Sequence, residues 1–171
     1  MTRSSGRWRR TALRMLLPVG AGVLLWSRVG TGSPFDPPVR LVASLSSRTL
    51  RVIEDGDVVH TYGIAVGRPK YPTPTGSFRT GTIDWSPRWT PPPSDWARNK
   101  RPRGPGDPAN PMQGVKIYFK PPYYYIHGTN NPGSIGEAAS HGCIRMTAED
   151  AIDLARRIER AGGSVPLRIQ H

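Results

Sequence analysis

Cysteine is almost missing from this chain: Cys143 is the only one in 171 residues. One thiol excludes an internal disulfide, and it is either a small buried hydrophobe or a reactive group, with its neighbours deciding which. Acids are also scarce, 12 Asp and Glu against 24 Lys and Arg, for a formal net charge of +12. The positive charge comes without zinc-finger spacing, an RNP-like strand or a helix-turn-helix pattern, which argues against nucleic acid as the partner. A phospholipid headgroup or a carboxylate-rich polymer suits it better. No internal repeat occurs, and the longest uncharged apolar stretch, residues 15–26, is short for a comfortable membrane span.

That stretch, MLLPVGAGVLLW, follows a start carrying Arg3, Arg7, Arg9, Arg10 and Arg14 without an acid. A basic segment followed by an apolar one is the order of a secretory signal. Residues 1–28 are therefore read as a signal peptide or membrane anchor, and an uncleaved anchor stays open because no clear A-x-A site follows. The expectation is an exported protein of the periplasm or cell envelope, touching membrane only through this segment. Residues 29–38 form a linker ending in SPFDPP, and 39–171 form one folded domain. Without the six arginines of residues 1–28, 18 basic residues face 12 acids, so the remainder stays moderately basic at +6.

The 19 glycines and 19 prolines, over a fifth of the chain, favour many turns and short strands over a helical bundle. Strands are predicted at 39–46, 49–54 and 58–67, the last two joined by a turn at Asp55-Gly56. In the third, Val58, His60, Tyr62, Ile64 and Val66 would share one face. Further strands are read at 114–119, 123–128 and 165–170, and turn chemistry with a short strand at 72–81. One helix is predicted from Ala148 to Ala161, opened by Thr147, with Ala151, Ile152, Leu154, Ala155 and Ile158 as its buried stripe. The loop 84–111, with Trp85, Trp89 and Trp96, is read either as an ordered lid or as a cap on the core.

If residues 141–146 are extended, His141, Cys143 and Arg145 point to one face and Gly142, Ile144 and Met146 to the other. The same rule groups His127 with Tyr125 and Tyr123, so neighbouring segments would bring His127 toward Cys143. Cysteine attacks as thiolate, and a nearby imidazolium or guanidinium would favour that form. Gly128 and Gly142 would let backbone approach a substrate, with N–H groups near Cys143 as an oxyanion hole. Two other classes stay open. His127, His141 and Cys143 could hold zinc, or the domain could be a non-catalytic wall-binding protein.

The stretch IHGTNNPGSIGEAASHGCIRM resembles the signature of the L,D-transpeptidases, the YkuD-type domain, in its His-Gly, spacer and Ser-His-Gly-Cys-x-Arg. The segments PTPTGSF, SPRWTPPPSDW and GPGDPANPMQG resemble the ErfK-like branch, and the likeness runs from Val39 to Gln170. It implies a mainly β fold, a compact sandwich or barrel with one packed C-terminal helix. It also implies Cys143 as nucleophile, His127 as base and His141 as a further catalytic residue, with Arg145, Ser140, Gly142 and Gly128 binding substrate. The implied substrate is the peptidoglycan stem tetrapeptide, which loses D-Ala as it acylates the cysteine; carbapenems are the implied inhibitors. The acyl group then passes to an amine of a second stem peptide or of an envelope protein, or to water, with no metal or organic cofactor.

Overall fold

The computed structural model describes residues 38–171; the expected export segment, and all of the linker but Pro38, lie outside the described residues. From Val39 the chain alternates between core and surface, and a period of two makes strands. β1 (Val39–Ser44), β2 (Thr49–Glu54) and β3 (Asp57–Gly63) form an antiparallel meander. Asp55 and Gly56 take φ values of 50° and 92°, both positive, which lets a two-residue turn follow the twist of its flanking strands.

The third predicted strand does not run to Gly67 in one piece. A register shift opposite Val52 and Ile53 takes Val58 off the common face and leaves it exposed. Ile64, Ala65 and Val66 are then buried in succession, because this stretch is hydrogen-bonded to Arg145 and Glu137 and enters a second sheet as β4 (Val66–Gly67).

The remaining elements are β5 (Gly76–Arg79), β6 (Ile83–Trp85), β7 (Gln113–Lys120), β8 (Tyr124–Gly128), β9 (Ala138–Ser140), β10 (Ile144–Met146), α1 (Ala148–Arg160) and β11 (Pro166–Gln170). They make a five-stranded sheet ordered β3-β2-β1-β11-β5, a four-stranded sheet ordered β10-β8-β7-β6, and a small pair β4-β9. The mainly β architecture with one packed helix is the one the sequence implied.

Thr147 caps α1 by accepting the Asp150 N–H at 3.1 Å, and Glu149 and Asp150 set negative charge on the first turn, where the helix dipole favours it. Gly162 and Gly163, with φ of 98° and 84°, end it, and the Gly163 N–H returns to the Ile158 carbonyl at 2.8 Å. Ala151, Leu154, Ala155 and Ile158 fall at helical spacing and pack on β7, β8 and β10. Each large aliphatic side chain buried there contributes about 1.5–3 kcal/mol. Ile117, Ile126, Ile144 and Met146 meet it from the strands and are fully buried.

What this packing positions is the end of the parallel pair β8 and β10, where Ile144 lies beside Ile126 and Arg145 beside His127. Parallel neighbours need a crossover. Here residues 129–143 supply it, and Cys143 is its last residue before β10.

Candidate active site

The segment His141–Cys143, between β9 and β10, is bent and not an extended strand, since Gly142 has a φ of 106°. A side chain at 142 would lie 2.8 Å from the Tyr124 ring, so glycine is required for both conformation and space. Ser140 is fully buried and spends its hydroxyl inside the turn, donating to the Cys143 carbonyl at 2.6 Å and accepting the Gly142 N–H at 3.0 Å. Ser140, expected to bind substrate, thus shapes the loop that carries the thiol. The Gly142 N–H is likewise committed and is not a free oxyanion donor.

Half-buried Cys143 donates its thiol to the Tyr123 carbonyl at 3.5 Å and lines a cleft of about 1090 Å³. Burial pushes the thiol up to about 11, against smaller opposing effects of the Tyr125 backbone N–H, Arg145 and Lys116. His127 lines the same cleft but is 3% exposed. Its Nδ1 is 2.8 Å from the Gly128 carbonyl, which can only accept, so Nδ1 carries the proton and Nε2 keeps its lone pair. Burial lowers its pKa to about 4, with Arg145 and Lys116 acting in the same sense. The resting pair is therefore a neutral thiol and a neutral imidazole, not the thiolate and imidazolium anticipated from sequence; the low dielectric around both groups disfavours each charge. Gly128 matters for packing: a Cβ there would sit 2.2 Å from the Gln113 carbonyl oxygen and 2.8 Å from the Ala148 Cα, so α1 starts against bare backbone.

A neutral buried histidine makes stability depend on pH. The unfolded chain takes up a proton below about 6.5 that folded His127 refuses down to about 4. Its contribution is complete above pH 6.5 and is lost as pH falls through that window, by about 3 kcal/mol at the end of it. In urea unfolding at pH 7.5 and pH 4.5, His127→Gln is expected to shrink the wild-type stability difference by about 2–3 kcal/mol. An unchanged difference would mean that His127 is not buried neutral.

His141 faces elsewhere. Its Nε2 lies 2.6 Å from Arg68 Nη2, and since guanidinium only donates, Nε2 accepts and the ring is neutral. Burial lowers its pKa to about 4, followed by repulsion from Arg68, Arg145 and Lys100. The ring stacks on Trp96 with centroids 3.8 Å apart and planes 11° apart, and Tyr71 tilts against it at 4.8 Å. His141 is thus held by its own partners. Among the described residues no group of three His, Cys, Asp or Glu side chains is placed to hold a metal.

The loop between β6 and β7 forms the cleft's outer wall. It is ordered by paired backbone bonds between Trp89 and Arg103, both 2.9 Å, and by Asn110 Nδ2 donating to the carbonyls of Pro87 and Gly104. The three tryptophans part company. Trp89 and Trp96 both line the cleft, Trp89 from a buried place in the loop, and Trp85 reaches the other way to donate to Glu159 on α1. Arg88, Lys100, Arg101, Arg103, Lys116 and Arg145 line the cleft, and among the described residues no Asp or Glu does. Lys116 is tied to Asp84 at 3.1 Å, and the Arg103 guanidinium meets Asp107 at 3.3 Å. Arg145 Nε is buried with no hydrogen-bond partner among the described residues.

Cys143, His127 and Arg145 are thus brought to one cleft, with His141 on its wall behind Trp96. Sequence reasoning missed Arg68, Tyr71 and Lys116. The available signal was the run Gly67-Arg68-Pro69-Lys70-Tyr71, which sets basic and aromatic residues together just before a proline-rich turn.

A half-buried thiol on a rigid turn, with an imidazole lone pair in the same cationic cleft, has the parts for acyl transfer to and from sulfur. The L,D-transpeptidase catalytic domain model, YkuD, matches residues 38–167, and this chain belongs to that family. It is 37% identical over 126 residues to YkuD of Bacillus licheniformis, named as an L,D-transpeptidase, across 74% of this chain and 64% of that protein. It is 31% identical over 139 residues to YqjB of Bacillus subtilis, similarly named, across 78% and 73%. The chain spans under two thirds of the length of the Bacillus YkuD proteins it matches. L,D-transpeptidase 3 from Mycobacterium tuberculosis has the same fold, with a TM-score of 0.59 at 24% identity over 79% of this chain and 62% of that one. Its structure with a faropenem-derived adduct gives 0.59 at 25% identity, over 79% and 61%.

Proposed function

We propose that this domain joins peptidoglycan stem peptides by L,D-transpeptidation through an acyl-enzyme on Cys143. The observation that carries the reading is the Cys143 thiol opening, in a chain of this family, into a cleft that among the described residues is lined by six cationic side chains and no carboxylate. A stem tetrapeptide is anionic, and its terminal carboxylate suits a guanidinium such as that of Arg145, which lines the cleft beside Cys143.

In the reaction, the Cys143 sulfur attacks the carbonyl carbon of the bond preceding the terminal D-Ala, and His127 Nε2 takes the thiol proton. Collapse of the tetrahedral adduct breaks the C–N bond, and the departing D-Ala amine takes that proton from His127. A thioester remains. A side-chain amine of a second stem peptide or of an envelope protein attacks it, gives a proton to His127 and forms the amide, and the sulfur regains the proton. Thiol and imidazole are both neutral at rest, so His127 Nε2 is free to act as the base that takes the thiol proton. Such a substrate lies outside the cytoplasm, and the basic-then-apolar order of residues 1–28 supports export.

The test is incubation of the purified protein with a tetrapeptide-containing muropeptide, followed by mass spectrometry. The expected product is a cross-linked dimer, formed with release of one D-Ala per link. Release of D-Ala without a dimer would make water the acceptor, and an L,D-carboxypeptidase the activity. Neither product from a folded protein would overturn the proposal.

A further inference from the structure

Arg68 lies outside the Ser-His-Gly-Cys segment, yet it is bound to that segment in three ways. Its backbone N–H donates to the Ser140 carbonyl at 3.2 Å, its Nε donates to the same carbonyl at 3.4 Å, and its Nη2 donates to His141 Nε2 at 2.6 Å. The guanidinium also sits 5.7 Å from the centre of the Tyr71 ring. The turn that delivers it is tight. A Cβ on Gly67 would fall 2.2 Å from the Tyr71 carbonyl oxygen and 2.5 Å from the Thr73 nitrogen, and Thr73 Oγ1 accepts the Gly67 N–H at 2.8 Å. Nothing in the proposed acyl transfer uses these contacts.

Their consequence is felt on the opposite rim. The cleft wall carrying Trp96 is a loop of more than twenty residues, and the Trp96 ring meets the Cys143 turn by stacking on His141. The groups facing His141 are Arg68, Tyr71 and Trp96, with the charges of Arg145 and Lys100 nearby. A guanidinium donor on Nε2 fixes the ring's rotation, and a fixed ring gives the indole one place to lie.

We propose that Arg68 is a positioning residue that acts through His141 to hold Trp96 as a fixed wall of the cleft, and that Trp96 in turn sets how tightly a stem peptide is held beside Cys143. This rests on the transpeptidase reading for its substrate, but the Arg68-His141-Trp96 relay can be measured without turnover.

The first measurement is spectroscopic. Protonated imidazole quenches a stacked indole, so the fluorescence difference between the intact chain and Trp96→Phe, followed against pH, reports the titration of His141. In the wild type the midpoint is expected near the value of about 4 set by burial and by Arg68. Arg68→Ala removes that positive charge and admits water, and should move the midpoint upward by about one unit. Arg68→Lys keeps a charge and should hold most of the shift down.

The second measurement is kinetic. With the tetrapeptide muropeptide, Arg68→Ala and Trp96→Ala should each raise KM by about 5- to 20-fold with a smaller change in kcat, the mark of lost substrate binding. The double variant should be no worse than the more damaging single one, since both changes cut the same relay. An unchanged midpoint in Arg68→Ala, or KM effects that multiply in the double variant, would overturn the proposal. If the wild type turns over no muropeptide, the functional reading fails, and the fluorescence titration alone decides whether Arg68 sets the state of His141 and Trp96.

Discussion

Cys143→Ala is expected to abolish acylation outright, leaving no covalent adduct with a penem or carbapenem under conditions that label the wild type fully. Cys143 is the only thiol in the chain, so no second sulfur can take over. The substitution is also mild for the fold. The side chain opens into the cleft, Ser140 holds the turn through the Cys143 main-chain carbonyl, and Gly142 supplies the positive φ, all of which alanine leaves in place. A folded, inert protein is therefore the expected product, with an unchanged far-ultraviolet circular dichroism spectrum. The probe for this test is faropenem, which forms an adduct with the mycobacterial L,D-transpeptidase 3. Equal labelling of Cys143→Ala would remove the cysteine from the mechanism.

His127→Ala is the second large effect, with acylation expected to slow by about 10²- to 10⁴-fold, the usual scale for loss of a general base. The neutral resting state shapes how the loss will look. Were His127 an imidazolium paired to a thiolate, its removal would push the thiol pKa upward. Since the thiol already stands at about 11 and His127 at about 4, removal should leave thiolate absorbance against pH nearly as it was while the rate collapses. The wild-type pH profile follows from the same values. In the proposed mechanism the base is the unprotonated imidazole, so activity is expected to fall as pH drops through about 4, and not near the ordinary 6.5. His141→Ala should cost less in rate, because its Nε2 is engaged by Arg68 and unavailable to the thiol. A larger loss from His141→Ala than from His127→Ala would reverse these roles.

The contrast between the two histidines shows what could and could not be read from the chain. The Asp55-Gly56 turn, the capped helix from Ala148 and the buried stripe from Ala151 to Ile158 follow from local rules, because turn chemistry and a 3.6-residue period act within a few residues. The residues of the cleft were legible as types, since a lone cysteine set between histidine and arginine is the combination that thiol chemistry requires. Their directions were not. An alternating strand would have put His141, Cys143 and Arg145 on one face, but Gly142 turns the backbone between the first two. The protonation states depend on burial, which depends on α1 and the four-stranded sheet closing over His127, a long-range event without a local signature. The same holds for Arg68, whose partner is 73 residues away. Of the three tryptophans between residues 84 and 111, only the fold decides that Trp96 faces the cleft while Trp85, at the end of β6, joins α1.

The most direct test of the acyl-enzyme is acid quenching of the protein during reaction with a stem tetrapeptide, followed by intact-mass measurement and peptide mapping. The expected result is a mass increase equal to the tetrapeptide substrate less D-Ala, carried on the peptide containing Cys143 and discharged by hydroxylamine as a thioester would be. D-Ala release with the protein mass unchanged at every quench time, or an adduct mapped to any other residue, would contradict it.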